Sequence, residues 1–397
     1  MKAVVIGACF GDEGKGLVTD FFASHHTKNC LVVRFNGGAQ AGHTVQTPDG
    51  KRHVFKHFGS GSFNGAHSYL SEYFICNPLL FRDEYEILRT NKLQPVTYVH
   101  ANSAVTTHFD IIINQIIEIK RGNAKHGSCG IGIGETIERN NNPEFALTVS
   151  DLFGTKESLL LKLEHISKNW VYTRLEQLAV THLSAEWQAR IESVDLINYY
   201  LYEVEFFKKH IEITNNSIIQ DFSAVIFEGA QGLLLDQNAG TFPHVTRSNT
   251  GLTNVLAIAK DMNIQELDVY YVARTYLTRH GAGPLLFELP GPPYPRIVDN
   301  TNLTNEFQGK LRFAWFNLDL LQQAIFSDLA QVPHTITIRA NLFISCLDQI
   351  EYTIGIIINN KLKHVTKQKF LQLLQTIFQD FKIWQSHGPS RDSITVV

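Results

Sequence analysis

Apolar, mostly β-branched runs recur along the chain and predict buried strands. They lie at residues 2–10, 29–36, 223–231, 268–276 and 335–347. The segment between the first two runs, 14–27, is long enough for a helix. Because parallel strands need a crossover connection, this order of strand, helix and strand indicates an α/β fold with a mostly parallel central sheet and flanking helices.

Two longer segments carry apolar residues every three or four positions, which is typical of helices with one buried face. One is 184–210, where Ser184 is a candidate N-cap, and the other is 367–381. The wider stretch 140–220 has mainly helical patterns and carries no chemical motif. We therefore predict that 140–220 is a mainly helical insertion between the two halves of the sheet.

The composition describes a globular protein and narrows the range of partners. The 397 residues are 44% hydrophobic and 18% charged, with a formal net charge of −3. Nucleic acid is not an expected partner because there is no basic excess. A membrane is not expected because no apolar run reaches about 18 residues. Five cysteines are scattered without a CxxC pair, which favours free thiols in the cytoplasm.

The stretch GDEGKG at 11–16 follows the first predicted strand and differs from a standard phosphate-binding loop. In the pattern GxxxxGK[ST], Cys9 takes the place of the first glycine and Gly16 that of the final hydroxyl residue. A glycine-rich turn that opens a helix still binds phosphate through backbone N–H groups, and Lys15 adds a positive charge. Asp12 can bind a metal or remove a proton from a substrate. A tight turn with surface carboxylates is the alternative interpretation.

Four further glycine-rich clusters contain hydroxyl or amide side chains, and they lie at 34–44, 126–135, 228–250 and 278–285. The first of these directly follows the second strand, so we expect it at the same sheet edge as GDEGKG. It contains His43, which in such a loop can donate a proton to a developing oxyanion. Any one cluster is compatible with a turn, but five in one chain favour a site that binds several phosphate groups.

These motifs, in this order and spacing, resemble the adenylosuccinate synthetase family over essentially the whole chain. The resemblance is carried by GDEGKG, NGGAQAGHT, EGAQGLLLD, GTFPHVTRSNT, TRHGAGP and NEF, and by SHGPSRD at 386–392. It implies one domain, 1–397, with a P-loop-NTPase-like core and loop insertions, and a homodimer. It also implies a ligase that joins L-aspartate to C6 of a 6-oxopurine nucleoside monophosphate, IMP in the family, with GTP and Mg²⁺.

The resemblance also implies roles for individual residues. Asp12 would be the base at the purine N1 and a Mg²⁺ ligand together with the Gly42 carbonyl. His43 would be the acid at the transferred phosphate, and Lys15 would neutralise phosphate charge. Lys310 would contact aspartate. Nucleotide-binding positions are implied at Gly11, Glu13, Gly14, Gly16, Gln40, Ser128, Cys129, Gln231, Thr246, Arg312, Asp348, Ser386 and Gly388.

Two departures from the family's pattern concern the monophosphate. Ser128 and Cys129 fall where the family has two adjacent threonines, so a thiol replaces one phosphate-binding hydroxyl. The family also lends an arginine across the dimer interface, and the nearest counterpart in this chain is Arg139.

Two more departures concern aspartate and GTP. The family's ATTGRRRR after NEF reads QGKLRFAW here, which leaves Lys310 and Arg312 to hold the dicarboxylate and the nucleotide. The guanine-reading TKLD reads SCLD at 345–348. Asp348 is kept and the stacking lysine is lost, so ATP stays open as an alternative to GTP.

Three hypotheses therefore stand at this point. The first is the ligase reaction with IMP, GTP and L-aspartate. The second is the same chemistry on another purine nucleotide such as dGMP, giving 2-aminoadenylosuccinate, because the departures cluster around the substrates. Phage relatives that use dGMP carry serine or threonine at the position of Asp12, which counts against a close match. The third is a nucleotide-binding regulator without ligase activity, and the presence of both Asp12 and His43 argues against it.

Overall fold

A ten-stranded sheet forms the centre of the molecule in the computed structural model, which describes residues 1–26, 29–122, 128–298, 302 and 309–397. From one edge to the other, its strands are β17 (Ile394–Val396), β16 (Lys382–Ser386), β13 (Thr337–Ser345), β9 (Glu266–Arg274), β1 (Lys2–Gly7), β8 (Ala224–Gly232), β2 (Cys30–Arg34), β5 (His67–Leu70), β6 (Thr97–His100) and β7 (Glu212–Thr214). All neighbouring strands are parallel except β16 and β17. The predicted α/β fold with a mostly parallel sheet is confirmed.

The remaining strands form two smaller sheets. A hairpin pairs β3 (His43–Gln46) with β4 (Arg52–Phe55). The second small sheet contains β10 (Tyr276–Arg279), β11 (Glu288–Leu289), β12 (Arg312–Asn317), β14 (Thr353–Ile358) and β15 (Lys361–Thr366).

Helices flank the large sheet. They are α1 (Lys15–Ser24), α2 (Pro78–Thr90), α3 (His108–Arg121), α4 (Ile133–Asn140), α5 (Val149–Leu152), α6 (Lys156–His165), α7 (Val171–Gln177), α8 (Ala185–Ile191), α9 (Val194–Lys209), α10 (Thr253–Asp261), α11 (Leu318–Leu329) and α12 (Lys367–Ile377). In the described ranges, none of the helices has the length and apolar character needed to cross a membrane.

The first strand shows why the central runs are apolar throughout. Val4 and Ile6 pack into the core on one face of the sheet. Val5 packs on the other face, together with Val18 and Phe22 of α1. Because helices cover both faces of a parallel sheet, both sets of alternating side chains are buried, and the strand has no polar alternation.

The prediction of one helix over 184–210 is wrong, because this segment forms the two helices α8 and α9. Ser184 caps α8 as predicted, accepting a hydrogen bond from the Trp187 N–H. Ser193 interrupts the segment, since its side chain accepts from the Leu196 N–H and begins a new helix. The five helices α5 to α9 lie between β6 and β7 in the chain. Their status as an insertion, and the single domain, stay predictions.

One buried histidine makes the stability of the fold depend on pH. His108, at the start of α3, is 7% exposed and packs against the rings of Phe109 and Tyr200. Burial lowers the pKa of His108 to about 4, although the charge of Asp110 partly opposes this shift. The unfolded chain therefore binds a proton at a higher pH, about 6.5, than the folded chain does.

We expect the free energy of unfolding to fall as the pH drops from about 6.5 towards 4, by up to about 1.4 kcal/mol per pH unit from this group. His108→Phe should remove that part of the slope because the ring can no longer take up a proton. Urea unfolding across this pH range measures it. His334→Phe, at an exposed position, is the control, and a wild-type slope in the His108 variant would contradict the argument.

Candidate active site

The carboxyl ends of the central parallel strands open on one cleft of about 710 Å³. Strand β1 lies between β8 and β9, so the loops that follow these strands leave at the same edge. All five glycine-rich clusters contribute to the lining. The predicted site residues that line this cleft are Gly11, Asp12, Glu13, Gly14, Lys15, Gly16, Gln40, Gly42, His43, Ser128, Cys129, Gln231 and Thr246.

The Glu13 carboxylate turns inward and holds the GDEGKG loop together. It accepts hydrogen bonds from the N–H groups of Cys9 at 3.1 Å and Gly11 at 2.7 Å. It also forms a buried ion pair of 3.1 Å with the Lys15 ammonium group. The loop can follow this path because Gly11 and Gly14 have φ values of 96° and 101°. Glu13 is thus a structural anchor and does not oppose an anion in the cleft.

Asp12 presents an ionised carboxylate to the cleft. Its side chain is 28% exposed, and Oδ2 lies 3.0 Å from Nε2 of His280. Burial raises the pKa of Asp12, but the hydrogen bond and charge of His280 lower it, as do the charges of Arg274 and Lys15. The lowering effects prevail and bring the pKa to about 2. The group is therefore a charged proton acceptor at neutral pH.

His43 lies against a buried carboxylate that the motif analysis did not single out. Its Nδ1 is 2.8 Å from Oε1 of Glu228, and both side chains are almost fully buried. Burial is the largest effect and lowers the pKa of His43 overall, while the charge of Glu228 partly opposes this shift. Glu228 itself has its pKa lowered to about 2, because the charges of His43 and Arg34 and the Ser60 N–H outweigh the effect of burial. Glu228 thus orients the imidazole and favours its protonated form.

We expect Glu228→Gln, which keeps the shape and removes the charge, to lower the pKa of His43 by about 1 to 3 units. A histidine NMR titration measures this, with the His43→Gln spectrum identifying the signal. Glu157→Gln, at an exposed position, should leave the titration of His43 unchanged. An unchanged titration in Glu228→Gln would show that the two groups do not interact as described.

The oxygen donors at the cleft suit a hard cation such as Mg²⁺. The low pKa of Asp12 keeps its carboxylate ionised, and Gly42 is exposed at the cleft. The described part of the chain has no group of three or more histidine, cysteine, aspartate or glutamate residues placed to hold a metal. Mg²⁺ is usually bound by one or two carboxylates, with other positions left for phosphate oxygens and water.

Other residues of the cleft lining offer neutral polar groups. The Ser128 Oγ accepts a hydrogen bond of 3.0 Å from Asn114. Burial raises the pKa of the Cys129 thiol to about 11, so it is uncharged. The buried Oε1 of Gln40 has no hydrogen-bond partner among the described residues, and Gln231 has a φ of 65°. These groups can hydrogen-bond to a polar ligand.

Asp348, Ser386 and Gly388 lie outside the cleft lining, at the carboxyl ends of two neighbouring strands. They follow or end the neighbouring parallel strands β13 and β16, where Ile344 pairs with Gln385. The GDEGKG loop is joined to this edge by Ser345, whose hydroxyl donates to the Glu13 carbonyl at 2.7 Å.

Arg312 and Lys310 also lie outside the lining. Arg312 pairs with Glu288 and donates to the carbonyl oxygens of Gly281 and Gly283, so it holds the TRHGAGP loop. Lys310 is exposed. The NEF motif and residues 126–127 of the third cluster fall outside the described residues.

Arg139 is placed in the interior rather than at a surface. It is fully buried, and it makes two hydrogen bonds of 2.9 Å to Asp110. It also donates to the carbonyl oxygens of Phe145 and Val105. Arg139 is therefore no counterpart of an arginine lent to another subunit, because its guanidinium is occupied within its own chain.

Besides Glu228, the motifs did not predict several charged residues of the cleft, among them Arg274, His280 and Arg279. Arg274 ends β9, donates to the Asp12 carbonyl and contacts Tyr276. His280 contacts Asp12. Arg279 donates to two backbone carbonyls and stacks over a ring of the cleft wall. Two features of the sequence could have indicated them. One is a charged residue at the end of a mainly apolar strand, and the other is the polar residues within TRHGAGP.

Comparisons with known proteins agree with this arrangement. The adenylosuccinate synthetase family model matches residues 4–394. An adenylosuccinate synthetase from Thermoplasma volcanium is 30% identical over 328 residues, which cover 82% of this chain and 72% of that protein. One from Thermoplasma acidophilum is 27% identical over 410 aligned residues, which cover 99% of this chain and 87% of that protein.

Two solved structures share the fold. A fully ligated adenylosuccinate synthetase from Plasmodium falciparum has a TM-score of 0.74 at 18% identity, covering 100% of this chain and 99% of that one. The cyanophage S-2L succinoaminodeoxyadenylate synthetase, bound to dGMP and dATP as an energy donor, has a TM-score of 0.61 at 16% identity, covering 99% and 94%. From the family match over nearly its whole length, the chain belongs to the adenylosuccinate synthetase family.

Proposed function

We propose that the chain joins L-aspartate to C6 of IMP, using GTP and Mg²⁺, and passes through a 6-phosphoryl intermediate. The observation that carries the proposal is that Asp12, His43 and Lys15 line one cleft. A carboxylate base, an imidazole paired with a carboxylate and a phosphate-binding loop are the three parts that this reaction needs. A cytoplasmic homodimer belongs to the same proposal and rests on the resemblance.

The first step is a proton transfer to Asp12. The ionised carboxylate takes the N1 proton of the 6-oxopurine, and the electron pair moves to O6, which becomes nucleophilic. His280 and Arg274 hold Asp12 in place through its side chain and its carbonyl. O6 then attacks the γ-phosphorus of GTP, and the bond to the β,γ-bridging oxygen breaks.

His43 and Lys15 stabilise the transferring phosphoryl group. Anionic phosphate next to His43 raises the pKa of the imidazole, and Glu228 adds to this effect on the other side of the ring. The protonated ring can then donate to a phosphate oxygen. Mg²⁺ held by Asp12 and the Gly42 carbonyl would neutralise further phosphate charge when it is bound.

The second step replaces phosphate by an amine. The aspartate amino group attacks C6 and gives up a proton, the C6–O6 bond breaks, and phosphate leaves with the former O6 and takes up that proton. We propose that Lys310 holds a carboxylate of the incoming aspartate, since it lies in the loop that follows NEF. Its exposed position leaves the ammonium group accessible to a ligand.

We expect Asp12→Asn to lower turnover by at least about 100-fold, the usual contribution of a general base. Nucleotide binding should stay within a few-fold, because asparagine accepts the left-handed backbone at this position, where φ is 60°. Steady-state kinetics and nucleotide titrations measure the two quantities. Asp49→Asn, whose side chain is 60% exposed, is the control. Wild-type turnover in Asp12→Asn would overturn the mechanism.

A second acceptor, a 2-amino-6-oxopurine nucleotide such as dGMP, is favoured by one observation. Cys129 lies at the cleft with a neutral thiol in place of a hydroxyl, so the acceptor wall differs from the family's pattern. Asp12 counts against this acceptor, because phage relatives that use dGMP carry serine or threonine at its position.

Phosphate release decides between the acceptors. The purified chain is assayed with Mg²⁺ and aspartate, crossing IMP, dIMP, GMP and dGMP with GTP and ATP, and products are identified by mass. A succinylated product from IMP and GTP alone supports the first proposal. Turnover of dGMP supports the second acceptor. Tight nucleotide binding without turnover in every combination would replace the ligase by a nucleotide-binding regulator.

The choice of GTP over ATP is proposed to depend on Asp348, whose carboxylate can accept hydrogen bonds from guanine N1 and N2. We expect Asp348→Ala to lower the ratio of kcat/KM for GTP to that for ATP by about 10-fold or more, since a charged hydrogen-bond pair is lost. Asp380→Ala, at an exposed position, should keep the ratio. An unchanged ratio in Asp348→Ala would remove the assignment.

A further inference from the structure

Several arginines of the cleft lining have no part in the mechanism above, and two of them lie beside helix α4. Arg174 and Arg247 both line the cleft, and so do Glu135 and Glu138 of α4. Arg174 Nε lies 2.7 Å from Glu135 Oε2, and its Nη1 lies 4.0 Å from Glu138 Oε2. Arg247 Nη2 is in close contact with Glu138 Oε1. The four side chains thus form one row of alternating charges along the wall.

We propose that Arg247 binds the phosphate group of the acceptor nucleotide, with Glu138 of the same chain holding its guanidinium at the cleft. This inference rests on the proposed function, because only there is the acceptor a nucleoside monophosphate. It adds a phosphate ligand that comes from the same chain as Asp12 and His43.

The position of Arg247 is determined by three elements. It directly follows Thr246, a cleft residue whose N–H donates to the Leu235 carbonyl at 2.8 Å. The next residue, Ser248, accepts a hydrogen bond of 3.3 Å from the Gly37 N–H. The segment that carries Arg247 is therefore held against the loop after β2, and the contact with Glu138 attaches it to α4. Because the backbone is held on both sides of Arg247 and the guanidinium is held by Glu138, the side chain can offer a defined geometry to a ligand.

The guanidinium of Arg247 still has N–H donors to offer. Glu138 is its single ion-pair partner within the described ranges, and the side chain is 46% exposed. Arg174 differs, since it is 15% exposed and donates to both oxygens of Glu135 and to Gln177. Arg174 therefore serves to offset the negative charge of the two glutamates beside Arg247.

The chemistry of this wall fits a phosphate group. Ser128 and Thr246 supply hydroxyl groups at the same cleft, and the planar fork of an arginine matches phosphate oxygens in a bidentate manner. The purine must lie at Asp12 for the proton transfer, so the phosphate end of the nucleotide has to lie elsewhere along the cleft. The other cleft arginines are already engaged. Arg274 and Arg279 donate to backbone carbonyls, and Arg121 pairs with the Glu118 carboxylate.

The test compares nucleotide and nucleoside binding in Arg247→Ala. Arg190→Ala is the matched control, because the Arg190 side chain is 47% exposed and forms a single ion pair with Glu186 outside the cleft. Dissociation constants are measured by calorimetry for IMP and inosine, and for dGMP and deoxyguanosine. We expect Arg247→Ala to weaken binding of the monophosphate about 10- to 100-fold, as for a lost charged hydrogen bond, and to leave nucleoside binding unchanged. The affinity of Arg247→Lys for the monophosphate should lie between those of the wild type and Arg247→Ala.

The outcomes separate this inference from the proposed function. Wild-type affinity for the monophosphates in Arg247→Ala would overturn the phosphate contact. An equal loss of nucleotide and nucleoside binding would also overturn it, because that pattern indicates a structural role. A further outcome is that the wild type turns over no acceptor while binding the nucleotide more tightly than the nucleoside. If Arg247→Ala then lacks this preference, the ligase proposal fails and the phosphate contact is supported.

Discussion

The parallel alignment of the central strands is the constraint on which the site depends. Since β1, β8, β9 and β2 all point the same way, every loop that follows them leaves at one edge, however far apart the segments are in the chain. Asp12, in the loop after β1, thereby meets His280, which follows β10, and His43, at the start of β3, meets Glu228 of β8. The apolar core on both faces of the sheet fixes the register of the strands, and hence the places where these loops begin.

Beneath these loops, charged side chains are buried in pairs. Glu13 with Lys15, Glu228 with His43, and Asp110 with Arg139 each satisfy one another inside the protein. A single buried charge would be costly, and removing one partner typically costs about 3 to 5 kcal/mol. The pairs therefore position the groups that face the cleft. Glu13 closes the glycine loop around Lys15, and Glu228 orients the ring of His43.

The cleft has two walls of different character. The wall at Asp12 is charged and carries the groups proposed for proton and phosphoryl transfer. The wall at Ser128 and Cys129 is neutral near the loop and becomes a row of alternating charges at α4. The departures from the family's pattern lie mainly on this second wall and around 309–312. The differences in this chain thus concern what is bound more than how the bond is made.

Sequence by itself determined the α/β class, the five central strands, the helices at 15–24 and 367–377, and the glycine loop with Asp12 and Lys15. It also indicated that His43 lies at the same sheet edge as this loop. These features depend on local patterns, namely continuous apolar runs, helical spacing and turn residues. Only the tertiary structure decided the partners of the charged groups, because pairs such as Asp12 with His280 or Arg247 with Glu138 are far apart in the chain. It also decided that Arg139 is buried, that Arg312 holds a loop, and that 184–210 divides at Ser193. Burial and long-range contacts are set by the packing of whole elements, which no local pattern encodes.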